Sequence, residues 1–189
     1  RMNRFFSSLD DQFYRKYVNY NSFFSSATKH TLYSGEFKER IENNDSYEKY
    51  SIYFDQKLSD LDNALKIDIH TYLPDDLLYK TDTASMAYGL ELRSPFLDHS
   101  LMEKMATMPS QMKIKLLTKK KILKDIAISY NLLPKEIVYK RKQGFNIPQN
   151  KWFKGSLKEY VNSQILSSRI VGTIFDKRKI LDSIISKLK

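Results

Sequence analysis

The chain has 189 residues, of which 41% are hydrophobic, and this composition indicates a globular fold rather than a disordered one. Its net charge of +10 favours an anionic partner, while the lack of cysteine excludes disulfides, thiolate nucleophiles and cysteine-based zinc sites. No apolar run approaches the roughly 18 residues of a membrane helix, no signal peptide is visible, and Arg1 is not a natural start, so we expect a cytoplasmic C-terminal portion of a longer protein.

Helices are expected along most of the chain, because glycine and proline number only five each. Ser25 is predicted to cap a short helix that ends at Leu32, and residues 33–37 are predicted to form a turn. A longer helical segment over residues 47–69 follows, with an expected break near Ser59. Neither an internal repeat nor a low-complexity tract is found.

Residues 68–98 form the most informative segment of the chain. Pro74 at the first helical position, followed by two aspartates, indicates a sharp helix start. Apolar residues then recur with a 3.6-residue period, which predicts one buried face, and Gly89 is the expected stop. Leu92 is the best strand candidate of the chain, with a weak pattern. Polar residues lie within this otherwise apolar segment: Lys80, Asp82, Thr83, Ser85, Glu91, Arg93 and Asp98.

Two of these polar residues, Arg93 and Asp98, flank a proline. As an isolated pattern they are expected to pair with each other or with Glu91. Either Asp98 or Ser100 is expected to begin the next helix, since Ser100 has the capping-box spacing to Glu103.

Three consecutive lysines follow Thr118 at the expected start of a helix over residues 119–130, whose apolar side is predicted to be buried. If Thr118 caps this helix, the lysines occupy its first turn, where each positive charge costs about 0.3–1 kcal/mol. Lysines beside free backbone N–H groups can bind an anion, and a broken local rule often marks a site. Helical geometry places Lys121 towards solvent and Lys120 at the edge of the apolar face. The alternative interpretation is that the three lysines are simply solvated and bind no anion.

A second basic segment, residues 140–148, has Gly144 near its centre, preceded by Lys142. Basic residues before a glycine turn can approach a phosphate closely, and a plain basic loop is the alternative interpretation. Further along, Asp176 is expected to cap the last helix. The three histidines lack ligand spacing, so no metal site is expected, and no Walker A, GxSxG, HExxH or GxGxxG motif occurs.

Several motifs run in a definite order along about residues 20–155. They are Phe24-Ser25, Leu32-Tyr33-Ser34-x-Glu36-Phe37, Asp68-x-x-x-Tyr72-Leu73-Pro74-Asp75-Asp76-Leu77-Leu78, Lys80-x-Asp82-x-x-Ser85-Met86-Ala87, Leu90-Glu91-Leu92-Arg93-Ser94-Pro95-Phe96-Leu97-Asp98, Lys120-Lys121-Ile122-Leu123-Lys124, Leu133-Pro134-x-x-Ile137 and Lys142-x-Gly144-Phe145-x-x-Pro148. Each motif alone is unspecific. Together they resemble the synthetase domain of the glutamine-hydrolysing asparagine synthetases.

The resemblance implies an enzyme with two domains. A glutaminase domain releases ammonia, and a synthetase domain adenylates a carboxylate with ATP and magnesium. Ammonia then attacks the acyl-adenylate, which gives an amide, AMP and pyrophosphate. The chain lacks the family's Ser-Gly-Gly-x-Asp-Ser loop and its Asp-Glu-x-Phe-Gly-Gly-Tyr motif. ATP and Mg²⁺ are therefore expected to be held mainly by residues outside this chain.

The implied fold is a mainly α-helical fragment, the helical part of an α/β adenine-nucleotide alpha-hydrolase-like (ATP-pyrophosphatase) synthetase domain. All of residues 1–189 are expected to form this C-terminal helical portion, without the nucleotide-binding loop and the glutaminase domain. The fragment alone is expected to be inactive. The complete enzyme is expected to be a cytoplasmic protein and to form a homodimer.

Lys120 matches the family lysine that lies over the phosphates, and the resemblance implies that it is the catalytic residue. Many relatives have a basic residue at the position of Thr83, and this difference makes the prediction of the substrate less specific. Five further residues match family motifs that shape the substrate and nucleotide sites: Ser85, Arg93, Asp98, Lys142 and Gly144.

Three classes of function remain open at this point. The leading one is amide formation, either of asparagine from aspartate and ammonia or glutamine, or of another carboxylate. Related enzymes amidate sugar carboxylates of surface polysaccharides or close the rings of lasso peptides and β-lactams, and these motifs do not separate them. The second, less favoured, is a basic helical module that binds nucleic acid, suggested by the +10 charge and the aromatic residues. The third is a scaffold fragment without activity.

Overall fold

A computed structural model describes residues 12–116, 118–141 and 148–183, which fall into two compact units. One unit combines residues 12–49 with 148–183, and the other contains residues 50–116 and 118–141. Both units are mainly helical, which confirms the predicted helical character of the chain. Within the described residues, no helix has the length and the apolar character needed to span a membrane.

The described elements are short, and helices far outnumber strands. They are α1 (Phe13–Asn21), α2 (Ser26–Leu32), α3 (Gly35–Ile41), a 3₁₀-helix (Glu48–Tyr53), α4 (Asp60–His70), a π-helix (Leu73–Leu78), α5 (Tyr79–Met86), a 3₁₀-helix (Pro95–Leu97), α6 (His99–Thr107), α7 (Ser110–Lys113), β1 (Ile114–Lys115), β2 (Thr118–Lys119), α8 (Lys121–Ser129), α9 (Lys135–Val138), α10 (Gln149–Lys154), α11 (Lys158–Ser167), α12 (Ile170–Thr173) and α13 (Lys177–Ser183). The two strands pair antiparallel and form a small hairpin.

Serine side chains begin the early helices. The Ser25 hydroxyl accepts a hydrogen bond from the Thr28 backbone N–H at 3.2 Å and caps α2, as predicted. The Ser34 hydroxyl accepts one from the Phe37 N–H at 3.3 Å and caps α3. The turn predicted over residues 33–37 is therefore wrong, because the serine satisfies an N–H group of a helical first turn and so favours the helix.

The predicted cap of the last helix is confirmed. One Asp176 carboxylate oxygen accepts hydrogen bonds from the backbone N–H groups of Arg178 and Lys179, at 2.9 and 3.2 Å. These N–H groups, that of Lys179 first, hold the pKa of Asp176 below its ordinary value, since they bind the charged form of the carboxylate.

The break predicted near Ser59 is also present. The 3₁₀-helix ends at Tyr53, and Ser59 caps α4 by accepting a hydrogen bond from the Asp62 N–H at 3.1 Å. Asn63 is buried on α4, and its side-chain amide accepts from the Asp55 N–H and donates to the Asp55 carbonyl, both at 2.9 Å. The loop between the two helices is thereby fastened to α4 through a buried amide whose polar atoms are satisfied.

A cluster of polar side chains fastens α1 to the segment that follows α3. The guanidinium of Arg15 pairs with Asp45, and with Glu48 at 2.9 Å, and the Tyr14 hydroxyl donates to Glu48 at 3.0 Å. Burial alone would raise the pKa of Asp45, but the Tyr47 N–H and Arg15 outweigh it and lower the pKa.

Few apolar side chains are buried among the described residues. The buried ones are Tyr14, Leu32, Tyr47, Ile67, Ala127 and Ile180. The face predicted to be buried between residues 73 and 88 is largely open, with Leu78 exposed to 39% and Tyr88 to 92%. That prediction is wrong for this chain, because helical periodicity identifies an apolar face, but burial also needs a partner surface, and the described residues do not supply one.

The strand predicted around Leu92 is likewise absent, since residues 90–94 have no regular structure. The strands of the described chain are β1 and β2, each of two residues, with Ile114 opposite Lys119 and Lys115 opposite Thr118. A strand needs a partner to form its ladder, and no residue of the described ranges pairs with Leu92.

Candidate functional site

Lys120 lies between the β1–β2 hairpin and α8. It is the N-cap residue of α8 and has the left-handed conformation, with φ 56° and ψ 41°. Because Thr118 and Lys119 form β2, Thr118 does not cap the helix, and of the three lysines only Lys121 lies in its first turn. The prediction that three lysines occupy the first turn of a helix is therefore wrong, because hairpin pairing takes up the backbone of Thr118 and Lys119, and Lys120 is the N-cap.

The junction around Lys120 carries two residues in an unfavourable backbone conformation. Leu116, in the turn of the hairpin, has φ 53°, and Lys120 has φ 56°. The left-handed region costs a residue with a side chain about 1–2 kcal/mol. Such conformations persist where the surrounding structure fixes them, and they occur often at functional sites.

The side chains of the neighbouring lysines differ in what they bind. Lys121 pairs with Asp125 one turn further along α8, in an exposed ion pair that leaves its side chain 28% exposed. Lys124 places its ammonium 5.2 Å above the ring of Tyr139. Lys120 is exposed and forms no ion pair with any residue that the structure describes. Its positive charge is therefore available for an anionic ligand.

The apolar side of α8 is more open than predicted. Ala127 is buried, but Leu123 is exposed to 43%, Ile126 to 41% and Tyr130 to 74%. The prediction of a buried apolar side is therefore wrong for these three residues, for the same reason as on residues 73–88: no described element covers them. The surface beside Lys120 thus has apolar side chains available for contact.

Arg93 and Asp98 have separate partners. The Arg93 guanidinium donates from Nε to Glu91 Oε1 at 2.7 Å, which confirms one of the two predicted pairings. Asp98 accepts a hydrogen bond from the Leu101 backbone N–H at 3.0 Å and caps α6. Of the two predicted helix starts, Asp98 is therefore the one found, and the capping box from Ser100 is wrong.

Ser85 is buried near the end of α5. Its hydroxyl donates to the Asp82 carbonyl at 3.1 Å, and its own carbonyl accepts from the N–H groups of Tyr88 and Leu90. Gly89, with φ 65°, lets the chain turn back after the helix and confirms the predicted stop. The contacts of Ser85 that the structure shows therefore lie at the C-terminal end of α5, where they help to end the helix.

The predicted site residues are not joined to one another by direct contacts. Among the described residues, no hydrogen bond or ion pair links Ser85, Arg93, Asp98 and Lys120. Lys142 and Gly144 lie outside the described residues. The predicted positions thus contribute separate groups, of which Lys120 offers an exposed and unpaired cation.

Asp98 provides a test of its structural role. We expect Asp98→Ala to lower the free energy of unfolding by about 1 kcal/mol, because α6 loses its N-cap. Asp98→Asn keeps an oxygen acceptor at the same place, and we expect a change of no more than about 0.5 kcal/mol. Urea unfolding of the two variants measures the difference, and equal losses in both would show that the negative charge of Asp98 matters rather than the cap.

A polar cluster around Asp62 was missed by the sequence predictions. The Asp62 carboxylate accepts hydrogen bonds from Lys113 Nζ at 2.7 Å, Ser59 Oγ at 2.7 Å and Ser110 Oγ at 3.0 Å. The bond from Lys113, with those from the two serines, holds the pKa of Asp62 below its ordinary value. The spacing of Ser59 and Asp62 is a capping signal, but nothing local indicates Lys113, 51 residues further along.

The lowered pKa of Asp62 makes stability depend on pH. A carboxylate with a folded pKa below its unfolded value, about 3.9, stabilises the fold above that value and loses this effect as pH falls through the folded pKa. We expect the free energy of unfolding to fall as the pH drops below about 4 and through the lowered pKa of the folded state. In urea unfolding, the double variant Asp62→Ala/Lys113→Met should lose less of its free energy of unfolding over this pH range than the wild type. Some loss should remain, because the lowered pKa values of Asp45 and Asp176 still contribute. An identical fall in both proteins would contradict this assignment.

The described residues do not fit a magnesium site. No group of three or more His, Asp or Glu side chains within residues 12–116, 118–141 and 148–183 could hold a metal ion. Glu91 and Asp98 are engaged with Arg93 and with the α6 backbone. We therefore assign no step of chemistry through a metal to these residues.

Comparison with known proteins places the chain in a family. The family model described as asparagine synthase matches residues 5–188. The chain is 34% identical over 111 residues to asparagine synthetase [glutamine-hydrolyzing] 1 of Bacillus subtilis, a match that covers 59% of the chain and 17% of that relative. It is 38% identical over 91 residues to the human asparagine synthetase [glutamine-hydrolyzing], covering 46% of the chain and 16% of the relative.

The chain therefore spans only about a sixth of the length of these relatives. No solved structure matches the chain significantly. The family match nevertheless covers nearly every residue, including the motifs around Arg93 and Lys120. The chain belongs to the asparagine synthase family.

Proposed function

We propose that the chain is the C-terminal helical portion of the synthetase domain of an enzyme that makes asparagine. The reaction joins aspartate to nitrogen from ammonia or glutamine, with ATP as the energy source. The observation that carries this proposal is the family match over residues 5–188. The proposed setting is a cytoplasmic homodimer, with Mg²⁺ and most of the ATP contacts supplied by other residues of the complete enzyme and ammonia supplied by a glutaminase domain.

Lys120 is the proposed catalytic residue. A carboxylate oxygen of aspartate attacks the α-phosphorus of ATP, and the bond from this phosphorus to the pyrophosphate oxygen breaks. Negative charge grows on the phosphorus oxygens and on the leaving pyrophosphate, and the Lys120 ammonium is proposed to stabilise it. The exposed side chain of Lys120, unpaired among the described residues, supports this role.

In the second half of the proposed reaction, the acyl-adenylate is converted to the amide. Ammonia attacks the carbonyl carbon of the acyl-adenylate, the bond from this carbon to the AMP oxygen breaks, and a proton leaves the new amide nitrogen. The products are asparagine, AMP and pyrophosphate. Arg93, Asp98 and Ser85 are proposed to shape the wall of the cleft, as are Lys142 and Gly144 from the basic segment.

The exposed apolar side chains of residues 73–96, taken together as one open apolar face, support the proposal that other parts of the enzyme cover this unit. Large apolar side chains such as Tyr88, Leu90 and Phe96 are exposed to 92%, 57% and 63%. Soluble proteins seldom leave contiguous apolar surfaces open unless something binds there. We propose that this face packs against the nucleotide-binding part of the same synthetase domain.

The activity is tested on the complete enzyme with ATP, Mg²⁺, aspartate and ammonia. The proposal expects AMP and pyrophosphate to form only when aspartate is present, with one asparagine for each AMP. Formation of no AMP above the aspartate-free control would overturn asparagine synthesis. AMP formation with a different carboxylate, such as that of a sugar or a peptide, would instead support an amidotransferase with another substrate. Thr83, which differs from the basic residue of many relatives, is compatible with this alternative.

A further inference from the structure

We propose that Asp62 is a positioning residue for Lys120, because it anchors the segment from which the β1–β2 hairpin starts; this inference rests on the proposed function of Lys120. The Asp62 carboxylate, in the first turn of α4, binds Ser110 and Lys113, which are 48 and 51 residues further along the chain. These two residues are the first and last of α7. One carboxylate therefore holds both ends of that helix.

The anchor at Lys113 is well shielded from water. Its side chain is only 9% exposed, and its ammonium donates to Asp62 at 2.7 Å and to the Ala106 carbonyl at 3.4 Å. Ser59, the cap of α4, also donates to Asp62, at 2.7 Å. A shielded lysine with a carboxylate partner has a fixed position, because losing that partner would leave a buried charge uncompensated.

Lys113 immediately precedes β1, and Lys120 immediately follows β2. With two residues in each strand, this hairpin is too short to be stable alone. The left-handed conformation of Lys120 is also unfavourable and needs support from its surroundings. Because α7 contacts both β1 and α8, it is the element that can supply this support, and Asp62 holds α7 in place.

The inference goes beyond stability, since it predicts a loss of catalysis in a protein that stays folded. The double variant Asp62→Ala/Lys113→Met removes both charges together and leaves no buried cation without a partner. It should therefore fold, but α7 and the hairpin should lose their anchor. A misplacement of about 1 Å at a reacting group can lower the rate by about a hundredfold.

The experiment has two readouts. In the complete enzyme, kcat for AMP formation by the double variant should fall by about 10- to 100-fold, while the KM for ATP changes by less than about threefold. Amide hydrogen exchange of β1 and β2 should become faster by at least about tenfold. The matched control is Glu36→Ala/Arg40→Met, which removes an exposed ion pair on α3, and it should change neither readout. Ser110→Ala, which removes one neutral hydrogen bond, serves as a milder second variant.

The outcomes separate this inference from the proposed function. Unchanged exchange of the hairpin in both Asp62-cluster variants overturns the inference, whatever the activity. Faster exchange with wild-type kcat, in an enzyme that Lys120→Ala inactivates, overturns the positioning role and leaves the proposed function intact. A purely structural role would lower the stability of the double variant but leave kcat of its folded form at the wild-type value, and that result also overturns the inference. If Lys120→Ala is fully active, the catalytic role of Lys120 fails, and the positioning role fails with it.

Discussion

Replacement of Lys120 by alanine in the complete enzyme is expected to lower ATP-dependent amide formation by at least about 10²–10³-fold. The reason is that the variant lacks the cation proposed to stabilise charge on the phosphates during adenylation. Lys120 is exposed and unpaired among the described residues, so its removal breaks no described ion pair and should leave the fold intact. The measurement is the rate of AMP and pyrophosphate release, with glutaminase activity, expected to be unchanged, followed in parallel.

Lys121→Ala is the matched control for this result. Lys121 has the same side chain, one position further along, but its ammonium is engaged with Asp125. We expect it to lower the rate of amide formation by less than about tenfold. Synthesis at a near wild-type rate in Lys120→Ala, or an equal loss in both variants, would contradict the assignment of Lys120.

Ile67→Ala is expected to have the largest effect on stability. Ile67 lies on α4 and is only 1% exposed, so truncation leaves a cavity in a unit with few buried side chains. The free energy of unfolding should fall by about 2–5 kcal/mol, as measured by urea unfolding. Circular dichroism in buffer would show a variant that has lost its fold altogether.

Ile69→Ala is the comparison, since it makes the same change two residues away on the same helix. Ile69 is 40% exposed, and we expect its truncation to cost no more than about 1 kcal/mol. Similar losses in the two variants would show that Ile67 is not the centre of this unit's packing.

Helix boundaries were predictable from the sequence where the signal is local. Ser25 and Asp176 each cap a helix as expected, and the break expected near Ser59 is a cap of the same kind, because a side chain and the N–H group that it binds lie two or three residues apart. Asp98 follows the same rule. The helix over residues 35–41 was missed although Ser34 carries the same signal, because the glycine that follows Ser34 also favours a turn.

Features that depend on distant residues were not predictable. Asp62 and Lys113 are 51 residues apart, and no pattern in a single sequence connects them. The hairpin of β1 and β2 overrode the helical pattern at Thr118 and Lys119, and strands of two residues have no periodicity to detect. Likewise, a helical period of apolar residues indicates an apolar face but does not indicate which surface covers it. Tyr88 was expected to be buried on the basis of this period alone, and it is exposed.

The candidate site was only partly accessible to sequence reasoning. The three lysines drew attention to Lys120, although the helix starts at Lys121, two residues further along than expected. The family motifs then supplied Ser85, Arg93 and Asp98, whose described contacts lie within their own segments. Their proposed common role at the cleft is therefore not explained by contacts among the residues that the structure describes.

The central proposal is that the reaction passes through an acyl-adenylate, and the transfer of an oxygen isotope from aspartate to AMP tests it most directly. Aspartate labelled with ¹⁸O in its side-chain carboxylate is converted by the complete enzyme, and the AMP is analysed by mass spectrometry. If the carboxylate attacks the α-phosphorus and ammonia then displaces AMP, one labelled oxygen moves from each aspartate to each AMP. Unlabelled AMP, or the formation of ADP and phosphate in its place, would contradict the account.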